Sequence, residues 1–359
     1  MAKRKSVETG PSGSPDSGAP DPVHPRLTEE LSGHGAAEEL FLSAFNSGSL
    51  HHAWLLTGEH GIGKATFAYR AARFLLSREQ AGARGEGEAS TLAVPASHVA
   101  ARQISAGAHP SLFVLGAESG SASIGVEEVR KLRAFLSLTS PGGWRAMIVD
   151  SANDLTISSA NALLKAIEEP PPRTVFFLIS HGAANVMPTI RSRCVKLPFR
   201  PLDPASFDSA VSAACTAAGL TGPRGEDMSR LYALSLGSPG RALDCLGGGL
   251  LALADKVERI VQGLPKLDHA LLHEVIQSAS GARNAETFAR LCDLIEERIE
   301  EKAKQEALDE PGRVQNAASW AGLWQILRER RLEMEVLNLD KGAFLIAAFS
   351  DMERIARNQ

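Results

Sequence analysis

The sequence predicts an α/β fold built on a parallel sheet, followed by a wholly helical C-terminal part. Three observations predict it. Short apolar runs alternate with amphipathic stretches from about residue 26 to residue 200. A glycine-rich loop ending in Gly63-Lys64 separates the first such run from the first amphipathic stretch. Beyond Pro201 the strand-like runs cease and helical periodicity takes over. Strand, helix and strand in repetition call for a parallel sheet covered on both faces, because each crossover lays a helix on the sheet.

The elements follow in order. Ala53-Trp-Leu-Leu56 is the first expected strand, and Thr66 to Leu76 the helix after it. Between Ser77 and Pro110 the pattern breaks into Gly, Ala, Ser and charged residues, and a long loop or insertion is expected there. Leu112 to Leu115 is the second strand. Val126, Val129, Leu132 and Leu136 lie at helical spacing. Ala146-Met-Ile-Val149 is the third strand and runs into Asp150. Ala160, Leu163, Leu164 and Ile167 share one helix face, and Pro170-Pro-Pro172 stops that helix. Val175 to Ile179 and Val195 to Leu197 are the fourth and fifth strands. The remainder divides into a small helical unit, residues 201–248, and a larger one, residues 249–359.

Composition narrows the function classes. The chain has 359 residues, enough for two or three cores, with 44% hydrophobic residues and a formal charge of -4. A protein that coats nucleic acid through a strongly basic surface is not indicated. The four cysteines, Cys194, Cys215, Cys245 and Cys292, form no C-x-x-C pair. Neither a disulfide framework nor zinc is expected, and reduced thiols in the cytoplasm are the plain reading. Residues 1–25 have no apolar core of a signal peptide and are rich in Gly, Ser, Pro and Asp; they read as a disordered tail. No apolar run reaches the ~18 residues that span a bilayer, so no membrane partner is expected.

Chemistry concentrates in two places. The loop Gly58-Glu-His-Gly61-Ile-Gly63-Lys64-Ala65-Thr66 follows a strand and opens a helix. Glycines let backbone N–H groups close around phosphate, the lysine reaches the outer phosphates, and the helix N-terminus favours the anion. The last position of this pattern ordinarily carries a hydroxyl for Mg²⁺; here it is Ala65, and Thr66 lies about 100° further round the helix. Asp150 ends the third strand, where a carboxylate supports Mg²⁺ in phosphate-loop proteins. The next residue is Ser151, which cannot serve as a base at neutral pH. ATP binding is expected to be weak and hydrolysis negligible.

Asn161-Ala-Leu-Leu-Lys165-Ala-Ile-Glu168-Glu-Pro170, Phe176-Phe-Leu-Ile-Ser180 and Thr189-Ile-Arg-Ser192-Arg193-Cys194 together resemble the AAA+ clamp-loader proteins of bacteria. Gly33-His34, His51-His52-Ala53-Trp54 and Leu337-Asn338-Leu339-Asp340-Lys341 are similar to the non-motor member of that group, and Gly237-Ser-Pro-Gly240-Arg241 to the lid motif that carries a sensor arginine. The resemblance implies an AAA+ domain over residues 26–200, a helical lid over 201–248 and an oligomerising collar over 249–359. It implies gamma/tau-type motor subunits and a delta subunit as partners, with a sliding clamp and primed DNA engaged through the complex. It also implies that Arg193 is an arginine finger serving a neighbour's ATP, and that Gly58, Gly61, Gly63, Lys64, Ala65, Thr66, Asp150 and Arg241 line a degenerate site of this chain's own. The four-cysteine zinc module of many relatives is missing, since residues 77–110 contain no cysteine.

Two other functions compete. A hydrolysing gamma/tau-type motor would need the hydroxyl and base that Ala65 and Ser151 lack. A small-molecule kinase would need an acid or arginine lid round the loop and would have no use for Ser192-Arg193-Cys194.

Overall fold

The structure, a computed structural model, describes residues 24–78, 88–116, 123–137, 143–181, 186–247, 249–279, 285–309, 314–337 and 339–358. Most of the expected tail, residues 1–23, lies outside them. His24, at the tail's expected end, stands edge-on to Tyr69 at 5.9 Å between ring centroids.

Five parallel strands, β1 (Ala53–Thr57), β2 (Leu112–Gly116), β3 (Arg145–Asp150), β4 (Thr174–Ser180) and β5 (Val195–Pro198), form one sheet in the order β2-β3-β4-β1-β5. The chain leaves β1, fills one side of the sheet as far as β4, and returns past β1 to the edge at β5. Each strand sends alternate side chains to opposite faces. Trp54, Leu56, Ile148, Phe177 and Ile179 join one apolar layer, with helices α1 (Gly35–Asn46), α2 (Lys64–Ser77) and α3 (Val99–Ser105). Leu55, Met147, Val149, Phe176 and Leu178 join the other, with α4 (Val126–Ser137) and α5 (Ile157–Glu168). Every residue of β4 is buried, as a central strand covered on both sides requires.

The break expected over residues 77–110 needs correction in part. It contains α3, capped by His98 Nδ1, which accepts from the Ala100 amide at 3.2 Å, and it buries Leu92. Seven residues make too few turns for a periodic signal, which is why the sequence reads as loop.

After β5, preceded by the short helix α6 (Pro188–Arg191), the described chain is helical: α7 (Pro204–Ala217), α8 (Glu226–Ser235), α9 (Pro239–Gly247), α10 (Leu250–Gln262), α11 (His269–Ala279), α12 (Ala285–Asp309), α13 (Val314–Leu337) and α14 (Lys341–Arg357). One apolar cluster joins these helices, from Leu202 and Phe207 through Val257 and Leu291 to Phe349 and Met352. Asp340 caps α14 by accepting from the Ala343 amide at 2.6 Å; Asn338, singled out beside it, lies outside the described residues.

Candidate functional site

The carboxyl ends of β1, β4 and β3 converge. These are neighbouring strands, so the loop after β1, His181 after β4 and Asp150 at the end of β3 meet over one edge of the sheet. Ligands of open α/β sheets bind at that edge.

Residues 58–63 wrap over it. Gly61 and Gly63 have φ of +71° and +106°, conformations that side chains resist, and α2 starts at Lys64 directly after them. Lys64 is 3% exposed. Its Nζ donates to the Gly58 carbonyl at 2.8 Å and to the Glu59 carbonyl, and stands 3.4 Å from His181 Nδ1. Burial lowers the Lys64 pKa to about 8, against the pull of Asp150 and Glu59. Burial raises the Asp150 pKa, with Lys64 opposing. His181 falls to about 4, chiefly through burial and then through Lys64 and His60.

The donors suit a phosphate and not an Mg²⁺ ion. A lysine, a positive-φ glycine loop and a helix N-terminus supply N–H groups and positive potential. Mg²⁺ takes six oxygens in a strict octahedron. Ala65 offers none, and Asp150, the carboxylate that ends β3, is buried with its charge disfavoured. Ser151 is likewise committed: its Oγ accepts from the Asn153 amide at 3.1 Å and donates to Asn153 Oδ1 at 3.2 Å. Asn153 Oδ1 also accepts from the His181 amide at 3.0 Å. Thr66 lies in the first turn of α2, one residue past the position where the loop pattern carries its hydroxyl.

The helical part closes over the loop. Ser238 Oγ donates to the His60 carbonyl at 2.7 Å, and the Gly240 amide donates to the Gly61 carbonyl at 2.8 Å. Arg241 Nη2 meets Glu59 Oε2 at 2.6 Å. The structure thus brings Gly58, Gly61, Gly63, Lys64, Asp150 and Arg241 to one place. Sequence reasoning missed Glu59, Asn153, His181 and Ser238, and gave His34 no structural part. His34 Nε2 donates to the Ile62 carbonyl at 2.8 Å, holding the loop from below. The readable signals were the position of His181 directly after a strand and Ser238 inside the lid motif.

Arg193 is elsewhere. It lies two residues before β5, at the amino end of the sheet, and Val195 pairs in register with Trp54. Six residues of strand separate that level from Gly58, roughly 20 Å. Arg193 Nη2 pairs with Glu168 Oε1 at 2.7 Å, both half exposed. Burial pushes the neighbouring Cys194 thiol up to about 12, so it stays protonated. Among the described residues no group of three His, Cys, Asp or Glu could hold a metal ion, and no helix is long and apolar enough to cross a membrane.

A family described as DNA polymerase III, delta subunit, matches residues 33–203. Over 217 residues the chain is 37% identical to the DNA polymerase III subunit delta' of Pseudomonas aeruginosa, covering 60% of this chain and 61% of that one. It is 32% identical over 157 residues to the delta' subunit of Escherichia coli, 44% of each chain. It is 30% identical over 262 residues to the DNA polymerase III subunit gamma/tau of Mycobacterium tuberculosis, 70% of this chain and 43% of that one. A solved gamma-subunit-related protein of Thermotoga maritima aligns over 88% of this chain and 100% of its own, at 16% identity and a TM-score of 0.40. The chain spans between 43% and 61% of the length of these three curated relatives.

Proposed function

We propose that this chain is a non-motor subunit of the assembly that loads the sliding clamp onto primed DNA, a reading supported by the match of residues 33–203 to the family described as DNA polymerase III, delta subunit, and by the likeness to delta' subunits. Its partners are gamma/tau-type motor subunits and a delta subunit. Its division is a sheet domain over residues 26–200, a lid over 201–248 and a collar over 249–359. Its own phosphate loop, lined by Gly58, Gly61, Gly63, Lys64, Ala65, Thr66, Asp150 and Arg241, binds ATP or ADP weakly and turns over next to none.

The observation that carries the reading is the place of Arg193. At the far end of the sheet from its own loop, its guanidinium can serve only a nucleotide held by another chain. Charge on the transferring phosphoryl oxygens makes such an arginine worth about 10³–10⁵ in rate at the site it completes. A guanidinium suits the task through its fixed fork and permanent charge. In this reading the Glu168 pair is the resting partner that the neighbour's phosphate replaces.

The test is reconstitution of the complex with wild-type chain, Arg193→Ala and Arg193→Lys. The half-exposed pair with Glu168 contributes at most about 1 kcal/mol, so both variants fold and assemble. ATP turnover falls in part, clamp loading falls further, and lysine rescues poorly. Wild-type loading by an assembled Arg193→Ala complex would make Arg193 an ordinary surface residue. The match to gamma/tau over 70% of the chain favours the motor as the second reading. Turnover near ~1 s⁻¹ by the isolated chain would establish it.

A further inference from the structure

We infer that Glu59 and Arg241 form an internal latch, in which the Glu59 carboxylate holds the lid on the phosphate loop and competes with a nucleotide phosphate for the Arg241 guanidinium. The inference rests on the reading of residues 58–64 as a nucleotide site.

Glu59 is the second residue of the loop, a position from which phosphate binding asks only a backbone N–H. Its side chain is therefore free for another task. It reaches across 182 positions of sequence to Arg241 Nη2 at 2.6 Å. The arginine side chain is 11% exposed and the carboxylate 57% exposed, so the pair is screened from one side only. Arg241 Nε is buried and has no hydrogen-bond partner among the described residues. Buried donors of that kind are uncommon, and this one belongs to a guanidinium that has more donors than Glu59 satisfies.

The backbone makes the contact close. A Cβ on Gly61 would stand 2.8 Å from Gly240 Cα, and one on Gly240 would stand 2.5 Å from Gly61 Cα. Two glycines thus let the lid's backbone lie directly on the loop, where the Gly240 amide and Ser238 hydroxyl take up the Gly61 and His60 carbonyls. Of these contacts only the Glu59–Arg241 pair is ionic, so it is the one an anion can replace. A phosphate entering the loop meets the Glu59 charge as repulsion and must draw Arg241 away from it. Glu59 therefore opposes the ligand twice.

Three variants test this in the full chain: Glu59→Gln, Arg241→Ala and the double change. The first readout needs no ligand. Hydrogen exchange across residues 237–247 should quicken in both single variants, with no further gain in the double. The second is titration with a fluorescent ADP, with and without Mg²⁺. Glu59→Gln should bind about twofold to fivefold more tightly than wild type, the worth of a partly exposed ion pair. Arg241→Ala should not gain, because it loses the phosphate partner along with the latch. Unchanged exchange in Glu59→Gln, or exchange that quickens there and not in Arg241→Ala, overturns the latch. Equal ADP affinity in wild type and Glu59→Gln overturns the competition. Quickened exchange with no ADP binding by any chain at millimolar concentration leaves the lid contact standing, and removes both the competition and the nucleotide reading.

Discussion

Lys64 carries its charge in a place that disfavours it. A cation buried beside two carbonyls and a neutral imidazole gains from Asp150 and Glu59 but loses more to desolvation, and its pKa falls to about 8 from 10.5. The sign of the consequence is fixed by proton counting. Between pH 8 and 10.5 the unfolded chain binds more protons at this residue than the folded one, so stability rises with pH across that window and the cost is fully present below it. Lys64→Met should therefore stabilise the fold at pH 7, by ~1–3 kcal/mol. The advantage should shrink between pH 8 and 10.5. Thermal melts of both proteins from pH 7 to 10.5 check this, and a constant difference across the range would show that the lysine is not strained by burial. Gly61 is a second residue whose identity is fixed by its surroundings, since any side chain there meets the lid backbone. Gly61→Ala should loosen residues 237–247 without disturbing the sheet, which amide exchange reads directly.

The elements show where sequence reading succeeds and where it stops. All five strands were visible because a central parallel strand must be apolar on both faces, and β4 is buried from end to end. Helix α5 was visible from its apolar stripe and from the three prolines that forbid its continuation. Its start was not, because the signal is a cap: Thr156 Oγ1 accepts from the Ser159 amide at 3.2 Å. Thr156→Ala should cost about 1 kcal/mol, measured by chemical unfolding. An unchanged midpoint would mean that burial of Ala160, Leu163 and Ile167 alone sets the helix start. Helix α3 escaped notice for the opposite reason, having a cap at His98 but only seven residues. At the candidate site, Gly58, Gly63 and Lys64 stand out in the sequence because they fall in one contiguous run between a strand and a helix. The Glu59–Arg241 contact was not legible, because nothing local links two residues 182 apart.

At the scale of the whole molecule, the helices after β5 share one apolar interior even though the sequence divides them at about residue 248. Phe207 of α7, Leu231 of α8 and Ala242 of α9 belong to the same cluster as Val257 of α10, Leu291 of α12, Trp320 of α13 and Phe349 of α14. The sheet's two apolar layers are separate from it. Helices that bury a common core open together, because exposing one face strips contacts from the next. Helices α7–α9 are thus tied twice, to residues 59–61 by three polar contacts and to the later helices by packing. A change deep in the later helices should therefore be felt in the lid before it is felt in the sheet. Leu291 is fully buried in α12, and Leu291→Ala removes a side chain worth ~2–5 kcal/mol at such a position. If the helices open as one unit, amides of α7–α9 should exchange faster by about thirtyfold or more, in step with those of α10–α14. Amides of β1, β3 and β4 should keep their protection. Hydrogen exchange read by mass spectrometry resolves the three groups. If α7–α9 keep wild-type protection while α10–α14 lose theirs, the shared cluster is two cores in contact, and the lid answers to the phosphate loop alone.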